Sequence, residues 1–217
     1  MLNQIFLALS LSGGVWVLYL LVILSVISIA LIFERATFYR KAESGLESFR
    51  RDLRLAVRQG NIPSAQGLIK KLMNESFNKY PNMEMEMSEV LLSQSTKSSS
   101  PEALNELALD ALIRAKLSWD RNLSMLATIG SNAPFIGLFG TVLGIIQAFH
   151  DLSSQAATSS MHTVTAGISE SLVATAVGIL VAIPATIAYN LFLRKVKAAT
   201  QNAESLKSFL IGNLLSK

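Results

Sequence analysis

The side chains most capable of chemistry in this 217-residue sequence are one carboxylate and two hydroxyls set among apolar residues. Glu170 stands in the run TVTAGISESLVATAVGILVAIPATIAYNLFLR, residues 163–194, about one turn inside its leading end. A lone acid costs on the order of 2.5 to 3.5 kcal/mol at the centre of a bilayer and less near its surface, so its presence calls for a reason. Two reasons fit. Near the N-terminal end of a helix a carboxylate is stabilised by the helix dipole and can reach interfacial water. Alternatively, desolvation raises its proton affinity until it loads and releases protons near neutral pH. In the second case Thr141 and Thr175 extend a polar route through otherwise apolar helices. The bland role for Thr141 is a bond back to its own helix, which is what most membrane threonines make. Thr175 lies five positions after Glu170, about 140° round a helix, so both face one lumen only if the polar sector is broad. One carboxylate near one face is an incomplete relay, and a mid-membrane acid would then come from a partner.

Other chemistries find little support. The chain has no Cys, which removes thiolate nucleophiles, thiolate metal sites and disulfides. It has no GxSxG, HExxH, P-loop or dinucleotide fingerprint, and His150 and His162 stand alone. No enzyme, cofactor or metal site is therefore expected. The glycines of GLFGTVLG, residues 137–144, lie inside an apolar helix rather than between a strand and a helix, which rules out a phosphate cradle.

The elements that must position these residues follow from composition. The chain is 51% hydrophobic and 16% charged with a mean hydropathy of +0.42, the profile of a membrane protein. Three segments can span: Val15–Phe33, broken only by Ser25 and Ser28, then residues 123–149 and 167–193. At about 1.5 Å per residue the 19 residues of the first reach roughly 28 Å, close to a bilayer core. A cleaved signal peptide fits the first poorly, since no Lys or Arg precedes it and no small-x-small site follows it. Fourteen Lys and Arg lie between Glu34 and Asn122, five follow Leu193, and none occurs before Arg35 or in residues 150–166. By the positive-inside rule the N-terminus and the 150–166 connector lie outside, while residues 34–122 and 194–217 are cytoplasmic. The net charge of +4 is thus a topology signal, and no nucleic-acid partner is expected.

The expected fold is all-α, with the second and third spans extended into a cytoplasmic helical region. Residues 1–14 form a periplasmic leader, either a short helix at the membrane surface or a frayed end. Trp16 and Tyr19 fit an interfacial aromatic belt. Leu46–Arg58 reads as an amphipathic helix with Phe49, Leu53 and Val57 on one face, its Arg residues forming a solvated or lipid-contacting surface. QGNIP, residues 59–63, predicts a turn and Ser64–Lys79 a short helix; Met83, Met85 and Met87 suggest adaptable packing. After the linker SQSTKSSS, residues 93–100, Ser100, Pro101 and Glu102 start a helix. It buries Leu104, Ala108, Ala111 and Ala115 and is expected to run without interruption into the second span. There Pro134 should kink the helix, while Gly137, Gly140 and Gly144 allow close packing. In the third span Ala174, Gly178, Ala182 and Thr186 recur every four residues, a small-residue face for a close neighbour, plausibly another copy of the chain. Pro184 adds a second weak point.

GSNAPFIGLFGTVLGIIQAF, residues 130–149, and GISESLVATAVGILVAIPATIAYN, residues 167–190, resemble the ExbB/TolQ family, as does FER at the first exit more weakly. These are channel-forming stator subunits that couple proton-motive force to work across the bacterial envelope, distantly related to MotA. The resemblance implies that Glu170, Thr141 and Thr175 line the pore and that Pro134 and Pro184 shape its helices. It also implies a homopentamer in the inner membrane around a dimer of a single-span ExbD/TolR-like partner, whose membrane aspartate binds the proton. A TonB/TolA-like effector is a further candidate partner. The family usually has Ala on both sides of this glutamate; here Ser169 and Ser171 flank it, which leaves H⁺ or Na⁺ open as the ion. The alternative of a different class is a non-transporting scaffold that assembles a complex through small-residue helix faces.

Overall fold

The computed structural model describes residues 14–72, 80, 82–95, 100–154 and 160–215, without the side chains of 154, 160–164 and 215. Residues 1–13 of the leader, residues 73–79 of the expected short helix, residues 96–99 of the SQSTKSSS linker, residues 155–159 of the connector and the His162 side chain lie outside the described residues. Among the described residues the chain is helical and contains no strand. Seven helices follow in order: α1 (Val15–Ala42), α2 (Leu46–Arg58), α3 (Ile62–Leu72), α4 (Met83–Gln94), α5 (Pro101–Asp120), α6 (Leu123–Ser154) and α7 (Ser160–Leu215). α1, α6 and α7 each contain a stretch long and apolar enough to cross a membrane. The chain divides into two compact units.

The first unit takes the chain up to Phe33 together with Asn122–Asn190. Its core is Val17 and Leu21 of α1, Ile129, Ala133 and Leu143 of α6, and Val181, Ala182 and Ala185 of α7. The opposite surfaces are apolar too, with Val22, Ile23 and Val26 on α1, Phe135 and Leu138 on α6, and Leu180, Ile183 and Ile187 on α7 all exposed. Helices apolar all round are what a bilayer solvates, and water would not. Trp16 packs edge-on against Phe139 at 6.2 Å, while Tyr19 is exposed. Helical structure continues through both Pro134 and Pro184.

The second unit comprises Glu34–Arg121 and Leu191–Lys217. Gly45, at φ 77°, turns the chain from α1 into α2 in a conformation that only glycine adopts without strain. α2 buries Leu46, Phe49, Leu53 and Val57, the face its periodicity predicts. Its arginines are not simply a solvated or lipid-facing surface. Arg50 forms a two-pronged pair with the buried Glu84, at 2.6 and 2.5 Å, and Arg54 and Arg58 stand over the Phe209 ring. α3 begins at Ile62, so the turn is shorter than QGNIP suggests; Asn61 Oδ1 accepts the Ser64 amide proton at 3.1 Å. In α4 Met83, Met85 and Met87 are buried. Asn82 caps the helix by accepting from the Glu84 and Met85 amides and donates to the Ala42 carbonyl at 2.8 Å. α5 starts at the Ser100 cap and buries Leu104, Ala108, Ala111 and Ala115 as expected.

The uninterrupted passage from α5 into the second span does not occur. Arg121 leaves the helix at ψ 136° and Asn122 takes φ 63°, a left-handed conformation that asparagine tolerates better than most residues. A helix end leaves carbonyls without intrahelical donors. Here Tyr39 Oη donates to the Trp119 carbonyl at 2.7 Å and Arg35 Nη1 to that of Ser118 at 3.3 Å. Both donors sit on α1, about 80 residues away in sequence. At the other boundaries the helices outrun their apolar stretches, α6 to Ser154 and α7 from Ser160 to Leu215.

Glu86 on α4 gives the second unit a pH-dependent term. Burial pushes its carboxyl above the usual 4.5, the nearby Arg114 opposes this and the Glu89 carboxylate adds to it. The folded state therefore binds this proton more tightly than the unfolded chain. The associated stability is fully present below about pH 4.5 and is lost as pH rises through the elevated value. Glu86→Gln should raise the thermal midpoint measured at pH 8 and flatten the fall in stability above pH 4.5. An unchanged midpoint at both pH values would show that the carboxyl is not desolvated.

Candidate functional site

The site is built on the crossing of α6 and α7. A Cβ on Gly137 would lie 2.6 Å from the Ala174 carbonyl oxygen and 3.2 Å from Gly178 Cα; one on Gly178 would lie 2.6 Å from the Ala133 carbonyl oxygen. Backbone meets backbone here, which only glycines permit. Gly140 packs against Ala174 and Val17, and Gly144 against Ser171. The face Ala174, Gly178 and Ala182 thus finds its close neighbour in α6 of the same chain, where another copy had been the expectation. A neighbour thirty or more residues upstream satisfies the same small-residue pattern, so the pattern alone cannot say which copy supplies it.

The crossing brings Thr141 and Thr175 together. Thr141 is buried; its hydroxyl lies 3.3 Å from the Gly137 carbonyl, 3.2 Å from the Ser171 carbonyl, and in a short hydrogen bond with the Thr175 hydroxyl. Thr141 therefore bonds back to its own helix and also across to α7. A hydroxyl both donates and accepts, so the pair locks the register of the two helices and provides a polar step between them. Replacing each by Val, singly and together, should give a coupling energy of about 0.6 kcal/mol and no more than about 1.7, the range for interhelical membrane hydrogen bonds. Strictly additive losses in an unfolding titration would remove the bond from the energetics.

Glu170 is exposed and stands on a different wall. It lines a cavity of about 450 Å³ with Gly14 and Leu18 at the start of α1, Gly140, Gly144, Gln147 and Asp151 on α6, and Gly167, Ser171 and Ala174 on α7. Thr141 and Thr175 are not among the lining residues. Ser171 is the link, since it borders the cavity while its carbonyl accepts from Thr141. The helix-dipole explanation of Glu170 weakens at this point. α7 begins at Ser160, ten residues earlier, and the dipole acts mainly within the first turn. Gln147 and Asp151 were not singled out in the sequence. The signal was present, because Gly140, Gly144, Gln147 and Asp151 follow the i, i+4, i+7, i+11 rhythm of one helix face. Among the described residues no group of three or more His, Cys, Asp or Glu side chains could hold a metal, and His150 is exposed.

Three membrane-length helices, with a carboxylate on the wall of a cavity between them, define a polytopic α-helical membrane protein. The comparison with known proteins sharpens this: residues 66–205 match the MotA/TolQ/ExbB proton channel family, and the chain belongs to it. The Tol-Pal system protein TolQ of Pseudomonas aeruginosa is 34% identical over 188 residues, which cover 81% of this chain and 76% of that protein. The biopolymer transport protein ExbB of Neisseria meningitidis serogroup B is 31% identical over 212 residues, 94% of this chain and 92% of its own length. A shorter stretch of 71 residues is 49% identical to ExbB of Salmonella typhimurium, covering 33% of this chain and 29% of that protein. Membership places the chain among the inner-membrane subunits of energy-transducing complexes.

Proposed function

We propose that the chain is a stator subunit that couples an ion gradient, in the first instance the proton-motive force, to mechanical work in the bacterial envelope. The observation that carries this reading is Glu170, a carboxylate on the wall of a polar cavity well inside a continuous, membrane-length helix. The cavity gives an ion a way to it. Thr141 and Thr175 continue the route, with Pro134, Gly137, Gly140, Gly144, Gly178 and Pro184 setting the helix geometry around it. The distribution of Lys and Arg supports a periplasmic N-terminus and a cytoplasmic C-terminus, with Glu170 near the periplasmic side.

The route is incomplete in one chain. Between Thr175 and Thr186 on α7 every residue is apolar, a dry stretch of about 16 Å by helical rise. An ionisable group from a partner would bridge it, and the assembly that the family resemblance implies, a dimer of a single-span ExbD/TolR-like protein surrounded by five copies of this chain, supplies one. Native mass spectrometry of the chain, alone and co-expressed with such a partner, tests this assembly. Five copies that take up two partner chains are expected. A monomer or dimer that binds no such partner would point instead to a scaffold held together by small-residue faces.

A further inference from the structure

A second groove, lined in part by hydroxyl and amide side chains, lies at the opposite end of the α6–α7 pair from Glu170. It has a volume of about 520 Å³ and is lined by Thr128, Gly130 and Ser131 of α6 and Thr186, Tyr189 and Asn190 of α7. Twenty residues separate Glu170 from Asn190, about 30 Å of helix and so roughly one bilayer core. Gly130 makes the groove possible. A Cβ there would collide with the Thr186 hydroxyl, so the absent side chain lets Thr186 sit against α6.

The polar atoms of the groove are arranged with a bias. The Thr128 hydroxyl donates to the Ser124 carbonyl at 2.8 Å and the Ser131 hydroxyl to that of Thr128 at 3.2 Å. Neighbouring Asn132 donates its amide to the Thr128 carbonyl at 2.9 Å. These α6 donors are spent within their own helix, so Thr128 and Ser131 offer the groove mainly oxygen lone pairs, while Thr186, Tyr189 and Asn190 of α7 bring both donors and acceptors. Thr128, Ser131, Asn132, Thr186 and Asn190 are nonetheless exposed, on helices that also expose the apolar Met125 and Ile187 near the same level. Hydrocarbon would leave such oxygens unsolvated at a cost. A wall of hydroxyl oxygens on α6, faced by hydroxyls and an amide on α7 and without any fixed charge, suits water, hydronium or a small monovalent cation.

We propose that this groove is the water-filled exit of the ion route, where a proton or other monovalent cation leaves for the cytoplasm after passing the dry stretch. The inference rests on the stator reading above. It adds Ser131, Thr186 and Asn190 to the ion pathway.

The test exploits a chain with no native Cys. Ser131→Cys, Thr186→Cys and the controls Met125→Cys and Ile187→Cys are each assembled with the partner, reconstituted in liposomes and treated with a charged, water-soluble thiol reagent. The groove positions should be modified at least tenfold faster than the controls, and modification should cut ion flux at least tenfold. Equal rates at all four positions would mean that the groove is merely at interfacial depth, and modification without effect on flux would take it off the route; either result overturns the proposal. Glu170→Gln measured alongside separates the two readings. Loss of flux in that variant with an unreactive groove removes the exit and leaves the stator reading. Full flux in Glu170→Gln with a groove that blocks on modification keeps the exit and takes Glu170 off the route.

Discussion

Glu170→Gln should abolish ion-driven work while leaving the assembled complex intact. Glutamine matches glutamate in volume and keeps hydrogen-bonding capacity, but it cannot bind and release a proton. Glu170 is exposed on a cavity wall and forms no part of the packed core, so its replacement should leave the α6–α7 crossing undisturbed. Losing a positioned proton-transfer group costs about a hundredfold or more in rate. Here the loss should be effectively complete, because each ion carries about 2.3 kcal/mol per 100 mV and an ion that cannot load delivers none of it. Glu170→Asp, which keeps the titrating group but withdraws it by one methylene, should retain partial activity. The decisive measurement is ion flux through the reconstituted complex under an imposed potential. Wild-type flux in the Gln variant would take Glu170 out of the mechanism.

Arg50→Met should destabilise the second unit by about 3 kcal/mol, the low end of the range for removing one partner of a buried ion pair, because the Arg50 side chain is itself 31% exposed. Glu84 carries both halves of the argument: its side chain is 2% exposed, and Arg50 meets both of its oxygens. Without the guanidinium the carboxylate is left in a site with almost no access to water. Such a loss is a large part of the 5–15 kcal/mol that typically holds a domain folded. Pairing Arg50→Met with Glu84→Gln should recover part of the stability, since a neutral amide is far cheaper to bury. A double variant as unstable as Arg50→Met alone would show that the cost is lost packing of the arginine stem.

Much of this architecture was legible in the sequence because a bilayer imposes a simple rule. Val15–Phe33 is apolar on every face, and Glu170, Thr141 and Thr175 stand out against such segments for the same reason. The amphipathic face of α2 and the Ser100 cap of α5 were equally plain, being set by residues within a few positions of one another. What escaped depends on residues distant in sequence. The break at Arg121–Asn122 is closed by Tyr39 and Arg35, and nothing near Asn122 announces those donors. Arg50 and Glu84 are 34 residues apart, so the arginine read as one of a solvated row. Thr141 and Thr175 could be named singly, but their mutual bond requires the glycine crossing. Glu170 and Thr175, suspected of one lumen, lie on separate walls because 140° of helix is too wide for one narrow cavity.

The meeting of Gly137 and Gly178 has a consequence for the genetics of this protein. Most tight contacts can be repaired after a bulky substitution by trimming the residue opposite. Neither glycine has a side chain to trim, and the atoms a new methyl would strike are the Ala174 and Ala133 carbonyls and the opposing Cα. No second substitution at the contact can make room for Gly137→Ala or Gly178→Ala. Revertants should therefore return to glycine or arise where a helix can shift as a whole, and a search for compensating changes across this interface should come back empty.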